Sequence, residues 1–133
     1  GGKFLWDDDK ETPEVLCSQY LFPSGKMMEV EVRPWCSNTE EGVMIGNLFY
    51  GTTGFAVVDE YNKYKIVKGG MNGIRTDGEW VEKGGNHMLN FINAVKSRKK
   101  EDLNAPVETA HYSSAVAHLG NISYRLGRRL TFD

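Results

Sequence analysis

The spacing of apolar residues changes from two to between three and four along this chain, and that change limits the architectures open to it. Met28, Val30 and Val32 alternate with Glu29, Glu31 and Arg33, the pattern of a strand with one buried and one wet face. The run from Glu14 to Phe22 ends in Pro23-Ser24-Gly25, a turn sequence that predicts an antiparallel hairpin with the strand that follows. A hairpin turning on Ser24-Gly25 sets Cys17 opposite Val32. Further strand-like runs cover Val43 to Tyr50, Phe55 to Asp59 and Tyr64 to Val67. Gly51-Thr52-Thr53-Gly54 and Asn62-Lys63 separate them, so short antiparallel strands joined by tight turns make a meander.

Glycine and charge break every periodicity between Met71 and Gly85, which reads as a loop. Met88, Phe91, Ile92 and Val95 then share one face of a helix, with Asn86 placed to cap its start. Lys96, Arg98, Lys99 and Lys100 close that helix, where cations suit the negative end of its dipole. A second helix follows Asn104-Ala105-Pro106, with an apolar stripe of Ala115, Leu119, Ile122 and Leu126 and with Val116 alongside. Gly120 within that stripe costs about 1 kcal/mol relative to alanine and suggests close approach of another backbone. Gly127 is a natural stop. The expected fold class is α+β: a mainly antiparallel open sheet, a meander, with two C-terminal helices packed on one face and one domain over residues 1–133.

Composition narrows the function classes. The 133 residues are 40% hydrophobic and 26% charged with a net charge of −2, ordinary values for a folded chain. Basic residues cluster only at Arg98-Lys99-Lys100 and Arg128-Arg129, so no nucleic-acid partner is expected. No apolar run approaches the ~20 residues of a membrane span. The N-terminus lacks a basic start followed by an apolar run, so no signal peptide is expected, and Gly1-Gly2 reads as a cut point or cloning scar. Cytoplasm and periplasm both remain open.

Few residues carry a chemical signature. Cys17 and Cys36 do not make a disulfide framework, and the hairpin leaves them out of reach of each other, which favours free thiols. Asp7-Asp8-Asp9 lacks the interleaved ligands and glycine of a calcium loop and reads as a solvated lead-in. His111 and His118 lie two helical turns apart; a ligand or relay role competes with packing, and packing is favoured at His118. His87, at a helix start beside Gly84-Gly85, is the most suggestive of the histidines. Zinc spacing, the dinucleotide glycine fingerprint, the phosphate-binding loop and the G-x-S-x-G elbow are all missing. Trp35, Trp80, Tyr50 and Tyr61 are suited to stacking on sugar rings, although aromatic residues more often pack. No catalytic, cofactor-binding or metal residue is expected in this chain.

A more specific signal comes from the last third, His111-Tyr-Ser-Ser-Ala-Val-Ala-His118-Leu-Gly120-Asn121-Ile-Ser-Tyr-Arg125-Leu-Gly127-Arg128. It resembles the closing helix of bacterial Gfo/Idh/MocA-family oxidoreductases, H-x-S-x-x-x-x-H-L-G-N-I-x-Y-R-L-G-R. His87-Met-Leu-Asn90-Phe91-Ile-Asn-Ala94-Val-Lys-Ser97-Arg98 is similar to the family's H-x-x-N-F-x-x-A-x-x-S-R helix, and Asp102-Leu-Asn104-Ala105-Pro106 to the join after it. Phe49-Tyr50-Gly51-Thr52-Thr53-Gly54 resembles its F-Y-G-T-x-G strand-turn-strand, and Asp8-Asp9 through Thr12-Pro13 its D-D-x-x-T-P segment.

The resemblance implies the C-terminal domain of an NAD(P)-dependent enzyme acting on a sugar, inositol or related polyol derivative. Such enzymes bind NAD or NADP on an N-terminal Rossmann domain that also supplies the lysine of an E-K-P motif, and their C-terminal domain carries a D-x-x-x-H pair near its start. None of these motifs stands in this chain, so no catalytic or cofactor residue carries over. The expectation is a part without its nucleotide domain, inactive alone. It would contribute scaffold, a wall of the substrate pocket with Arg75, Trp80 and His87 as candidates, and self-association through the sheet. Two alternatives stand beside it: a free-standing sheet that binds carbohydrate or protein, and a fragment of an NAD-dependent glycosidase of the same family.

Overall fold

A computed structural model describes residues 1–35, 38–59, 62–69 and 73–131. It has the α+β class expected, with antiparallel sheets and two C-terminal helices. The chain groups into two compact units, Gly1–Cys36 with Ala105–Asp133, and Ser37–Asn104.

In the first unit β1 (Leu16–Leu21) and β2 (Met27–Val32) form a two-stranded antiparallel sheet. Its register differs by one residue from the expected one. Leu16 pairs with Val32 and Cys17 with Glu31, because the turn holds three residues, Pro23-Ser24-Gly25, rather than two. Gly25 takes the left-handed φ of 78° such a turn requires, and the Phe22 amide donates to the Lys26 carbonyl at 2.9 Å across it. A one-residue slip exchanges the faces of a strand. Cys17, Glu29 and Glu31 therefore share the exposed face, while Ser18, Tyr20, Met28 and Val30 turn inward.

The inward face meets α2 (Val107–Leu126). The Tyr20 hydroxyl donates to the Val116 carbonyl at 2.7 Å. Gly120 is buried at the contact, and a Cβ there would stand 2.5 Å from the Tyr20 hydroxyl and 2.7 Å from Ser18 Oγ. The glycine thus admits side chains of β1, where the sequence suggests a backbone. Gly127 ends α2 in the left-handed region, its amide bonded to the Tyr124 carbonyl at 3.2 Å. Ahead of β1, Glu14 is only 3% exposed, and its carboxylate accepts the amides of Phe4 and Leu5, each at 2.8 Å, and of Trp6 at 2.9 Å. Burial pushes that carboxyl up, but the three amides outweigh it and hold the group below its usual range.

The second unit is the meander: β3 (Gly46–Gly51), β4 (Gly54–Asp59) and β5 (Lys63–Lys68) in order, all antiparallel. Thr52-Thr53 closes the first turn as expected. The stretch from Met71 to Gly85, expected as loop, also supplies two short strands, β6 (Thr76–Asp77) and β7 (Val81–Glu82), both paired to β5. Two-residue pairings leave no periodicity to read. Val57 and Val67, each 1% exposed, meet Val43 on one face of this sheet, with Leu48 and Phe55 packed against them. Burying a valine side chain contributes roughly 1.5–3 kcal/mol, so this trio anchors the meander.

Helix α1 (His87–Ser97) starts as expected, the Asn86 side chain accepting the Leu89 amide at 3.0 Å. Arg98, in the left-handed region at φ 59°, caps its end. Asn90 ties the helix to the segment after it: Nδ2 donates to the Asp102 carbonyl at 2.6 Å and Oδ1 accepts the Asn104 amide at 3.0 Å. Ala94 is the buried residue of α1, whereas Met88, Phe91, Ile92 and Val95 remain exposed. The expected stripe forms, but among the described residues it covers no strand closely. Among the described residues, no helix is long and apolar enough to cross a membrane.

Candidate functional site

The meander carries the most defined surface, and its two faces differ. On the face of Val57 and Val67, Arg75 enters from the chain before β6 and lies across the Phe55 ring, 5.6 Å from guanidinium carbon to ring centre. Its Nη1 and Nη2 donate to the two Glu41 carboxylate oxygens at 3.0 and 2.6 Å, and its Nε and Nη2 to those of Asp77 at 2.5 and 3.0 Å. Planar forks of this kind match two carboxylates in fixed geometry. The Arg75 guanidinium holds Glu41 and Asp77 below their usual carboxylate range, and Asp77 and Glu41 in turn raise Arg75. Lys65 approaches Glu41 at 3.8 Å and places its ammonium 5.3 Å from the centre of the Trp80 ring.

Two of the three pocket candidates are therefore linked through Lys65. Two carboxylates engage four of the five Arg75 N–H donors, a clamp that ties β6 to the segment around Glu41. Trp80 stays partly exposed with a cation on its face. His87 stands exposed at the first position of α1, and no contact joins it to the other two among the described residues.

The opposite face of the meander is open. Cross-strand pairing aligns Phe49 with Ala56 and Ile66, and Gly51 with Gly54 and Lys68. Phe49 is 61% exposed and Ile66 46%. The two glycines supply no side chains at their end, so the face dips into a shallow depression of about 440 Å³, with Lys68 at its rim. Its floor is apolar and its border carries a single ammonium group from Lys68. Such a surface can stack against a flat apolar face and offer one charge-assisted hydrogen bond beside it. The F-Y-G-T-T-G segment was legible as a turn, but the depression needed the alignment of β5, which the spacing alone does not provide.

The remaining candidates are scattered. Asp8 is paired with Lys3 and Lys10, at 2.9 and 3.2 Å, and the acidic run lies exposed. His118 is exposed instead of packed, because its position on α2 falls outside the stripe that faces β1. His111 is also exposed and sits edge-on to Tyr112 at 5.6 Å. Trp35 packs against Trp6 at 5.6 Å with the ring planes tilted by 59° and Lys10 over its ring, and Tyr50 packs on Phe55 at 5.5 Å. Tyr61 and Cys36 lie outside the described residues. Cys17 is a free, exposed thiol. Its sulfur and carboxylate oxygens of Glu29 and Glu31 lie within 4.8 Å of one another, a grouping that followed from the register missed in the sequence. Gln19 bonds Glu29 at 2.7 Å and Arg33 pairs with Glu31 at 2.9 Å. Local burial, then the two carboxylates, push the thiol up.

No protein family, curated protein or solved structure matches this chain.

Proposed function

We propose that this chain is the substrate-side and subunit-contact part of a larger NAD(P)-dependent oxidoreductase of the Gfo/Idh/MocA type. The enzyme would act on a sugar, inositol or related polyol derivative, with the hydride chemistry carried by a nucleotide-binding domain outside these residues. The open face of the meander carries this reading. Phe49, Ala56 and Ile66 form an apolar floor suited to the carbon face of a ring or to a neighbouring subunit, and the F-Y-G-T-T-G segment that carries part of the resemblance builds half of it. Two other matched motifs also have structural work that supports a scaffold. Asn90 of the H-x-x-N-F pattern binds the chain after α1, and Gly120 of the closing helix receives Ser18 and Tyr20.

The test joins this chain to the coding sequence upstream of it and measures absorbance of reduced nicotinamide across a panel of sugar and inositol derivatives. The expected result is turnover of at least one polyol substrate by the joined protein and none by this chain alone. Micromolar binding of NAD(P) to this chain alone overturns the reading, as does a joined protein that neither binds nicotinamide nor turns over any member of the panel.

A further inference from the structure

We infer that β3 is a pairing edge for a second copy of this chain, joined antiparallel about a two-fold axis through Leu48. The inference rests on the subunit-contact role proposed above and names the edge and the register. In the strand order β3-β4-β5, one side of β3 has no strand beside it among the described residues. The two-residue turn Thr52-Thr53 makes Gly51 and Gly54 a hydrogen-bonded pair, so Phe49 with Ala56 and Asn47 with Val58 are hydrogen-bonded as well. By alternation, the amides and carbonyls of Gly46, Leu48 and Tyr50 point away from β4. No strand of the described residues pairs with β3 on that side.

Three observations select a second copy as the occupant. First, no charged residue occurs from Gly42 to Val58. About a two-fold axis each residue faces the one equally far along on the other side of the axis, so any charge on the edge would be doubled along the seam, and here none is present to repel. Edge strands that must stay alone usually carry lysine, proline or a bulge, and β3 has none of the first two. Second, the two ends of β3 are complementary. A two-fold axis at Leu48 sets Gly46 opposite the partner's Tyr50, and Tyr50 opposite the partner's Gly46. Tyr50 is 72% exposed, and an aromatic ring laid across a cross-strand glycine covers backbone that the glycine leaves bare. Third, Met44 and Ile45 are largely exposed just before β3, so the paired edges gain apolar contact beyond their ends. The register supplies about six main-chain hydrogen bonds.

Two measurements on the full chain test this. Light scattering over a concentration series should approach twice the 15.0 kDa chain mass, and exchange of the Gly46, Leu48 and Tyr50 amides should slow by roughly tenfold or more on concentrating. Mixed isotope labelling should give contacts between Gly46 of one copy and the partner's Tyr50. Tyr50→Lys should restore a monomer, and the Asn86-capped helix and β4–β5 amide shifts report that its fold is kept. A monomer at every concentration, with these three amides unprotected, overturns the inference. So does protection that appears only when an unrelated extended peptide is added. A dimer that survives Tyr50→Lys with intermolecular contacts elsewhere also overturns the β3 register, while leaving the subunit-contact role standing.

Discussion

Gly120 offers the sharpest test of how the hairpin meets α2. Alanine at an exposed position inside a helix is more stable than glycine by about 1 kcal/mol, so Gly120→Ala in a free helix would stabilise by that amount. Here the added Cβ stands 2.5 Å from the Tyr20 hydroxyl, 2.7 Å from Ser18 Oγ and 3.2 Å from Ser18 Cβ. The serine hydroxyl can rotate away. Tyr20 is a stiff ring held by its bond to the Val116 carbonyl, one turn before Gly120, and must shift. Overpacking by a single methyl group costs roughly 1–2 kcal/mol, and loss of the hydroxyl bond about 1 kcal/mol. The clash therefore outweighs the propensity gain, for a net loss of about 1–2 kcal/mol. Tyr20→Phe removes the 2.5 Å contact, and in that background Gly120→Ala should be neutral or stabilising by up to about 1 kcal/mol. The sign change is a coupling of roughly 1–3 kcal/mol between residues in contact. Urea melts followed through Trp6 and Trp35, with Trp80→Phe to silence the other unit, read it directly. With a slope near 2 kcal/mol/M, the single variant should lower the midpoint by roughly 0.5–1 M. A midpoint that rises by about 0.5 M on Gly120→Ala alone would show that Tyr20 and Ser18 do not abut the helix, and the packing reasoning fails.

Two further outcomes follow from charge. Because burial, Glu29 and Glu31 raise the Cys17 thiol, its alkylation near neutral pH should be slower than that of a free cysteine, and Glu29→Gln with Glu31→Gln should speed it; peptide-resolved mass spectrometry checks this, and an unchanged rate would remove the two carboxylates as a cause. The Arg75 clamp lowers Glu41 and Asp77 in the folded state, so its contribution is complete above about pH 4.5 and is lost as the pH falls through their lowered folded values. The protection of the Gly78 amide, which donates to Ile66 at 3.0 Å beside the clamp, should fall on acidification in that window once its exchange is corrected for the intrinsic pH dependence, and should hold between pH 6 and 8. Ordinary titration of Glu41 in a carbon-detected NMR series would count against the clamp.

What the sequence discloses here is local. Asn86 and Gly127 announce the ends of their helices because a cap acts within one turn, and Gly51-Thr52-Thr53-Gly54 announces a hairpin because a turn closes on itself. The other hairpin shows the limit. Pro23-Ser24-Gly25 is plainly a turn, but two-residue and three-residue loops read alike, and the difference moves Cys17 from Val32 to Glu31. The short strands β6 and β7 are held by β5 rather than by their own composition, so no periodicity marks them. The helical stripe of α1 is legible as a face, whereas its exposure depends on what else packs there.

The candidate site follows the same division. Arg75 is named with Trp80 and His87 as a candidate for the pocket wall, and the sequence shows no partner for it. The structure spends its fork on Glu41 and Asp77, and Glu41 is far away in sequence. Guanidinium geometry explains why this matters: two carboxylates engage four of its five N–H donors, so a single Nη1–H is left for another acceptor. The open face, by contrast, needs no long-range partner to be chemically available. Phe49, Ala56 and Ile66 are aligned by pairing alone, and the glycines beside them leave the backbone accessible. Binding on this unit is therefore better sought on the face that the fold leaves free than among the polar residues that the fold has already paired.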